Sequence, residues 1–132
     1  MISKFRAWDK NQQIMRGVRG LFWTKNNLVA HCSSMGNKFD EFFTTILNDG
    51  EYHLMQSTGL FDKNNKEIFE GDIVRFHTPQ LTTVGVVEFD KNEACFKVRN
   101  DFGGHYVTMF HTRYFEVISD IYQNPELVEG LK

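Results

Sequence analysis

The chain has 132 residues, 41% hydrophobic, 24% charged and 14% aromatic, with a formal net charge of −2 at pH 7. These values fit a single globular domain, expected over 1–132, and exclude a disordered chain or a polycation held to nucleic acid by bulk charge. No apolar run approaches the ~20 residues of a membrane span. The opening MISKFRAWDK has no apolar stretch of signal-peptide type, so a cytoplasmic protein with no membrane partner is expected.

The dominant hydrophobic period is two, the period of strands. Ile2 to Trp8 reads as a strand with Ile2, Lys4, Arg6 and Trp8 on one side. Asp9-Lys10-Asn11-Gln12 is a polar turn, and Gln13 to Val18 a return strand. Leu21–Trp23 and Leu28–Cys32 flank Lys25-Asn26-Asn27, a second hairpin signal. Residues 39–47 carry Phe39, Phe42, Phe43, Ile46 and Leu47 at helical spacing. Thr44 and Thr45 favour a strand and Asn48-Asp49-Gly50 a hairpin turn, but the periodicity favours a short helix.

From Tyr52 onward the pattern is consistently strand-like. Tyr52–Ser57, Asp72–His77, Thr82–Phe89, Ala94–Arg99, His105–Phe110 and Phe115–Ile121 are separated by turn residues. Short strands at this spacing suggest a small barrel or sandwich. No internal repeat stands out. In Glu70-Gly71-Asp72-Ile73-Val74, Gly71 suits a left-handed bend and Asp72 can accept backbone N–H bonds at the strand entry.

Four separated motifs then carry a resemblance. Lys4–Lys10 (KFRAWDK), Leu54–Val74 (LMQSTGLFDKNNKEIFEGDIV), Gly85–Asp90 (GVVEFD) and Glu116–Leu127 (EVISDIYQNPEL) occur in order. Together they resemble the YopX family of phage and prophage proteins. The resemblance covers the start and roughly residues 52–127, and says least about Arg16–Glu51. It implies a mostly β fold with an SH3-type barrel in the second half, and a bacteriophage or mobile-element origin. It implies no activity. Ser57 stands where the family usually has an aromatic residue, and Asn64-Asn65 where it often has Asn-Gly. Asn also tolerates the left-handed region, so that turn is expected to survive.

The fold expected is therefore mainly β with minor α: a small SH3-like, partly open β-barrel over about 52–122, with N-terminal strands within 1–35 packed on it. No catalytic constellation can be named. The five histidines form no close ligand pair, Ser33, Ser34 and Ser57 lack a nucleophile elbow, and the two cysteines, Cys32 and Cys95, form no CxxC. Asp62–Glu67 lacks the Gly and Glu positions of a calcium loop. No cofactor or metal is expected.

Two binding surfaces are expected instead. Lys4, Arg6, Trp8, Lys10, Arg16 and Arg19 combine positive charge with an aromatic, the elements of a nucleic-acid grip. The pairs Phe22-Trp23 and Phe42-Phe43 would leave an aromatic exposed for a protein interface. The favoured reading is a non-catalytic phage accessory protein that binds a protein partner or itself, with nucleic-acid binding as the alternative and an uncharacterised enzyme as the least supported one.

Overall fold

The computed structural model describes residues 4–34, 36, 43–77, 82–100, 106–108 and 114–129. The strands are β1 (Phe5–Asp9), β2 (Ile14–Thr24), β3 (Asn27–Ser33), β4 (Thr44–Leu47), β5 (Tyr52–Phe61), β6 (Glu67–Phe69), β7 (Asp72–His77), β8 (Thr82–Asp90), β9 (Cys95–Asn100), β10 (Tyr106–Thr108) and β11 (Glu116–Asp120). All their pairings are antiparallel. The chain forms two compact units, Met1–Gln56 and Ser57–Lys132.

In the first unit the strand order is β4-β3-β2-β1-β5, the first half of β5 closing the series. One hydrophobic cluster holds Ala7, Ala30, Cys32 and Leu47, with Val18, Leu21 and Tyr52 packed against it. The Tyr52 hydroxyl donates to the Leu28 carbonyl at 2.6 Å, so this face folds over its own core. The β2–β3 hairpin turns through Lys25 (φ 49°) and Asn26 (φ 71°). Two left-handed residues are the turn whose twist matches that of paired strands. Residues 13–23, read as two strands, form most of the single strand β2, interrupted by a register shift between Val18 and Gly20.

The helix expected over 39–47 is corrected for its second half. Thr44–Leu47 is a strand paired with β3, and residues 39–42 lie outside the described residues. β-Branched Thr44, Thr45 and Ile46 resist helix and fit a pleat, and Gly50 (φ 86°) supplies the turn into β5.

In the second unit, the second half of β5 pairs with β6, and five strands run β10-β9-β8-β7-β11. Among the described residues the ends of that order, β10 and β11, do not pair with each other, so the sheet is open, as the expected partly open barrel allows, and is not closed into a barrel. Its core is Ile68, Val74, Phe76, Val87, Val98 and Phe115. The Phe76 and Phe115 rings lie 5.3 Å apart, tilted by 49°. The chain is mainly β with almost no helix, and the described residues include a short 3-10 turn, Pro125–Val128.

The turns share one chemistry. Asp9 Oδ1 accepts from the N–H groups of Asn11 and Gln12, and Asp90 Oδ1 from those of Asn92 and Glu93. Asp62 Oδ1 accepts from Asn64 and Lys66, and Asp120 Oδ1 from Tyr122 and Gln123. The three former aspartates all open Asp-Lys-Asn, preceded by Trp8, Phe61 or Phe89. A short repeated turn signature is thus present where no repeat was expected. Asn65, at φ 64°, holds its turn as anticipated. At Gly71 the φ is 88°, and Asp72 Oδ2 accepts from the Phe69 N–H at 2.7 Å.

Gly85, on β8, tests the packing. A Cβ there would stand 2.5 Å from Val98 Cγ1 and 2.7 Å from the Arg99 carbonyl oxygen. A backbone atom cannot swing aside, so Gly85→Ala is expected to cost about 1–3 kcal/mol, in the range of overpacking. Gly20→Ala enters open space and is expected to be neutral or slightly stabilising. Urea unfolding midpoints check both, and equal midpoints for the two variants would contradict the packing described.

Candidate functional site

β1 has neighbours on both edges, and both its faces are buried after Phe5. Arg6 is 4% exposed and Trp8 6%. Arg16, on the adjacent β2, is 5% exposed. Lys4, Lys10 and Arg19 are exposed. The structure therefore does not bring the basic residues and Trp8 together as one solvent-facing strip. Period two places Lys4, Arg6 and Trp8 on one side as expected, but that side is covered at Arg6 and Trp8.

Arg16 serves the interior. Its Nε donates to Asp9 Oδ2 at 2.9 Å, and its Nη1 to the carbonyls of Ser33 at 3.0 Å and Ser34 at 2.6 Å. This buried guanidinium ties the first turn to the end of β3, and its planar fork suits several acceptors at once. Burial pushes the Asp9 pKa up, but the Gln12 N–H, the Arg16 guanidinium and the Asn11 N–H outweigh it and hold the carboxyl below its ordinary value. Cys32, beside this cluster, is pushed up to about 11, chiefly by burial. A thiol so disfavoured as thiolate is a poor nucleophile.

His31 and Cys32 occupy opposite faces of β3, as alternation requires. His31 Nε2 meets Thr44 Oγ1 at 2.6 Å. His53 titrates below its ordinary value through burial and the Lys10 charge. Among the described residues, no group of three or more His, Cys, Asp or Glu could hold a metal ion. Ser57, at the family's aromatic position, is buried, with its Oγ on Glu67 Oε2 at 2.5 Å and accepting from the Gly59 N–H.

The aromatic candidates are the exposed ones. Phe22 is 44% exposed, Trp23 70% and Phe43 69%; Phe42 lies outside the described residues. The register puts Phe22 opposite Val29, and Ile46 opposite His31. Phe22, Val29, His31 and Ile46 therefore share the face of β2-β3-β4 turned away from Cys32. Ile46, 49% exposed, escaped the sequence reading because residues 39–47 were assigned to a helix. Its signal was the β-branched run Thr44-Thr45-Ile46 before a Gly turn.

The buried pair yields a prediction. A carboxyl whose folded pKa is depressed stabilises the fold above its unfolded pKa, and that contribution fades as pH falls through the folded value. Asp9→Asn is expected to cost about 3–5 kcal/mol at pH 7, the range for breaking a buried pair. It should also flatten the loss of stability below about pH 4. Urea unfolding from pH 7 to pH 2 checks this; acid limbs of equal slope would contradict it.

The family model described as YopX protein matches residues 4–129. The crystal structure of protein EF1440 from Enterococcus faecalis is similar at 28% identity and a TM-score of 0.65, covering 98% of this chain and 99% of that one. The crystal structure of protein yopX from Bacillus subtilis is similar at 21% identity and a TM-score of 0.61, covering 96% of this chain and 98% of that one. At that identity the latter likeness is one of fold. A search of the curated proteins gives no match. No helix among the described residues is long and apolar enough to cross a membrane.

Proposed function

Since the chain belongs to the YopX family, we propose that it is a non-catalytic accessory protein of a phage or prophage that binds a protein partner. The binding surface is the outer face of β2-β3-β4. The observation that carries this reading is the exposure of Phe22 and Ile46 on that shared face, with Trp23 exposed at the adjoining hairpin end. Aromatic and aliphatic side chains left in water are the usual anchors of a protein interface. Burial of Arg6, Trp8 and Arg16 weakens the nucleic-acid alternative, which needs basic and stacking groups on one open surface.

A photo-crosslinker placed at position 22, in a bacterial lysate, tests the surface. Discrete protein adducts are expected, and they should disappear with Ile46→Asp. The same adducts from position 92, on the β8–β9 turn, would refute it. Fluorescence anisotropy with mixed-sequence DNA and RNA separates the alternative. No saturable binding is expected at low salt. Saturable binding that weakens with salt and is lost in the Lys4→Ala/Lys10→Ala/Arg19→Ala variant would favour nucleic acid. Those three positions are chosen because they are exposed, so their truncation spares the interior that Arg6 and Arg16 support.

A further inference from the structure

β4 is the end strand of its sheet. The Ser34 N–H donates to the Phe43 carbonyl at 3.2 Å, and Thr44 stands opposite Ser33. In an antiparallel ladder, hydrogen-bonded and non-hydrogen-bonded pairs alternate. Thr45 and Leu47 therefore turn their backbone groups toward β3, while Thr44 and Ile46 turn theirs outward. No backbone hydrogen bond among the described residues reaches the outward groups of Thr44 or Ile46. The strand reads Thr-Thr-Ile-Leu. It has no Lys, no Pro and no bulge, the devices that normally blunt an edge. Ile46 adds an exposed apolar side chain.

We propose that this edge pairs with the same edge of a second copy of the chain, antiparallel about a two-fold axis at Thr45. A second copy is the occupant because the edge is self-complementary: its outward residues, Thr44 and Ile46, flank Thr45 symmetrically. Only residues with outward backbone groups can form hydrogen-bonded pairs, and a two-fold axis at Thr45 is the one that pairs both of them within Thr44–Leu47: Thr44 faces Ile46 of the second copy, and Ile46 its Thr44. Thr45 then faces Thr45 in the non-hydrogen-bonded position between them. That arrangement makes four main-chain hydrogen bonds, two from each copy. The strand carries no charge, so self-pairing brings no like charges together. A Thr–Thr pair at the centre is a favourable cross-strand contact. Ile46 covers Thr44 of the second copy on the outer face. The two sheets become one continuous sheet through the dimer axis. A contact of four-residue edges is small beside the ~1,200–2,000 Å² of stable complexes, so the dimer is weak and concentration-dependent.

The register makes the proposal testable without knowing any partner. Directly opposed residues at a non-hydrogen-bonded site have Cα atoms about 4.5 Å apart, within disulfide range. Position 44 lies diagonal to its own copy at about 8 Å, beyond that range. Native Cys32 is buried and Cys95 half-buried, and both remain in every variant as the background. Under mild oxidation at micromolar to submillimolar protein, Thr45→Cys is expected to give a disulfide dimer at least tenfold faster than Thr44→Cys. Sedimentation of the unmodified chain should show a monomer–dimer equilibrium that Ile46→Lys shifts to monomer. Circular dichroism of each variant reports whether it has folded; should Ile46→Lys fail to fold, Thr44→Lys replaces it. A monomer throughout the concentration range would overturn the proposal, as would equal cross-linking at 44 and 45. Either result leaves the partner-binding reading to its own cross-linking test at position 22, since that surface is a face and this one an edge.

Discussion

A carboxylate at the end of a strand, accepting the N–H groups of the turn that follows, is the constraint on which this structure depends. Tight turns leave backbone donors that no strand can satisfy. Asp9, Asp62, Asp90 and Asp120 each take up two such donors from their own turn. Asp62 goes further: its second oxygen accepts from the Val117 N–H, 55 residues away, at 2.9 Å. One side chain thus closes a turn and fixes where β11 meets it. The adjoining Lys63 N–H bonds the Phe115 carbonyl, which seats Phe115 in the core of the second unit.

This use of charge shapes what the surface offers. Asp9 and Arg16 are spent on each other and on the carbonyls of Ser33 and Ser34. In the second unit Glu116 pairs with Arg75 and Lys63, Glu88 with Arg99, and Asp90 with Lys97. The pairs with Arg75, Arg99 and Lys97 join neighbouring strands of the second unit, and Lys63 ties the turn after Asp62 to β11. Exposed pairs of this kind add little stability, but they leave few concentrated charges to attract a polyanion. Both units leave some large apolar side chains uncovered, and in the first unit these include Phe22 and Trp23 on β2 and Ile46 on β4.

Much of this was legible in the sequence, and the failures have physical reasons. Strands and hairpins followed from alternation and from Asn- and Gly-bearing turns, since those residues tolerate positive φ. Asp72 and Gly71 could be assigned their roles because turn chemistry is local. The helix over 39–47 was misread because five apolar residues at helical spacing outweighed Thr44 and Thr45 and the Asn48-Asp49-Gly50 turn, while pairing with β3 decided the outcome at Thr44–Leu47. Arg6 and Arg16 were taken for surface because long charged side chains are seldom buried. Arg16 is buried because Asp9 and two carbonyls, one of them 18 residues away, converge on it, and no local pattern announces that. Barrel closure was beyond reach for the same reason: it depends on whether the end strands meet.

The most direct test of the central constraint is amide hydrogen exchange at Val117 in the wild type and in Asp62→Ala. Val117 is distant from Asp62 in sequence, and its N–H bonds the same carboxylate as those of Asn64 and Lys66. The account predicts that the Val117, Asn64 and Lys66 amides lose protection together in the variant, while Val74, Val87 and Val98 stay protected. Protection at Val117 that is unchanged by the substitution would contradict it.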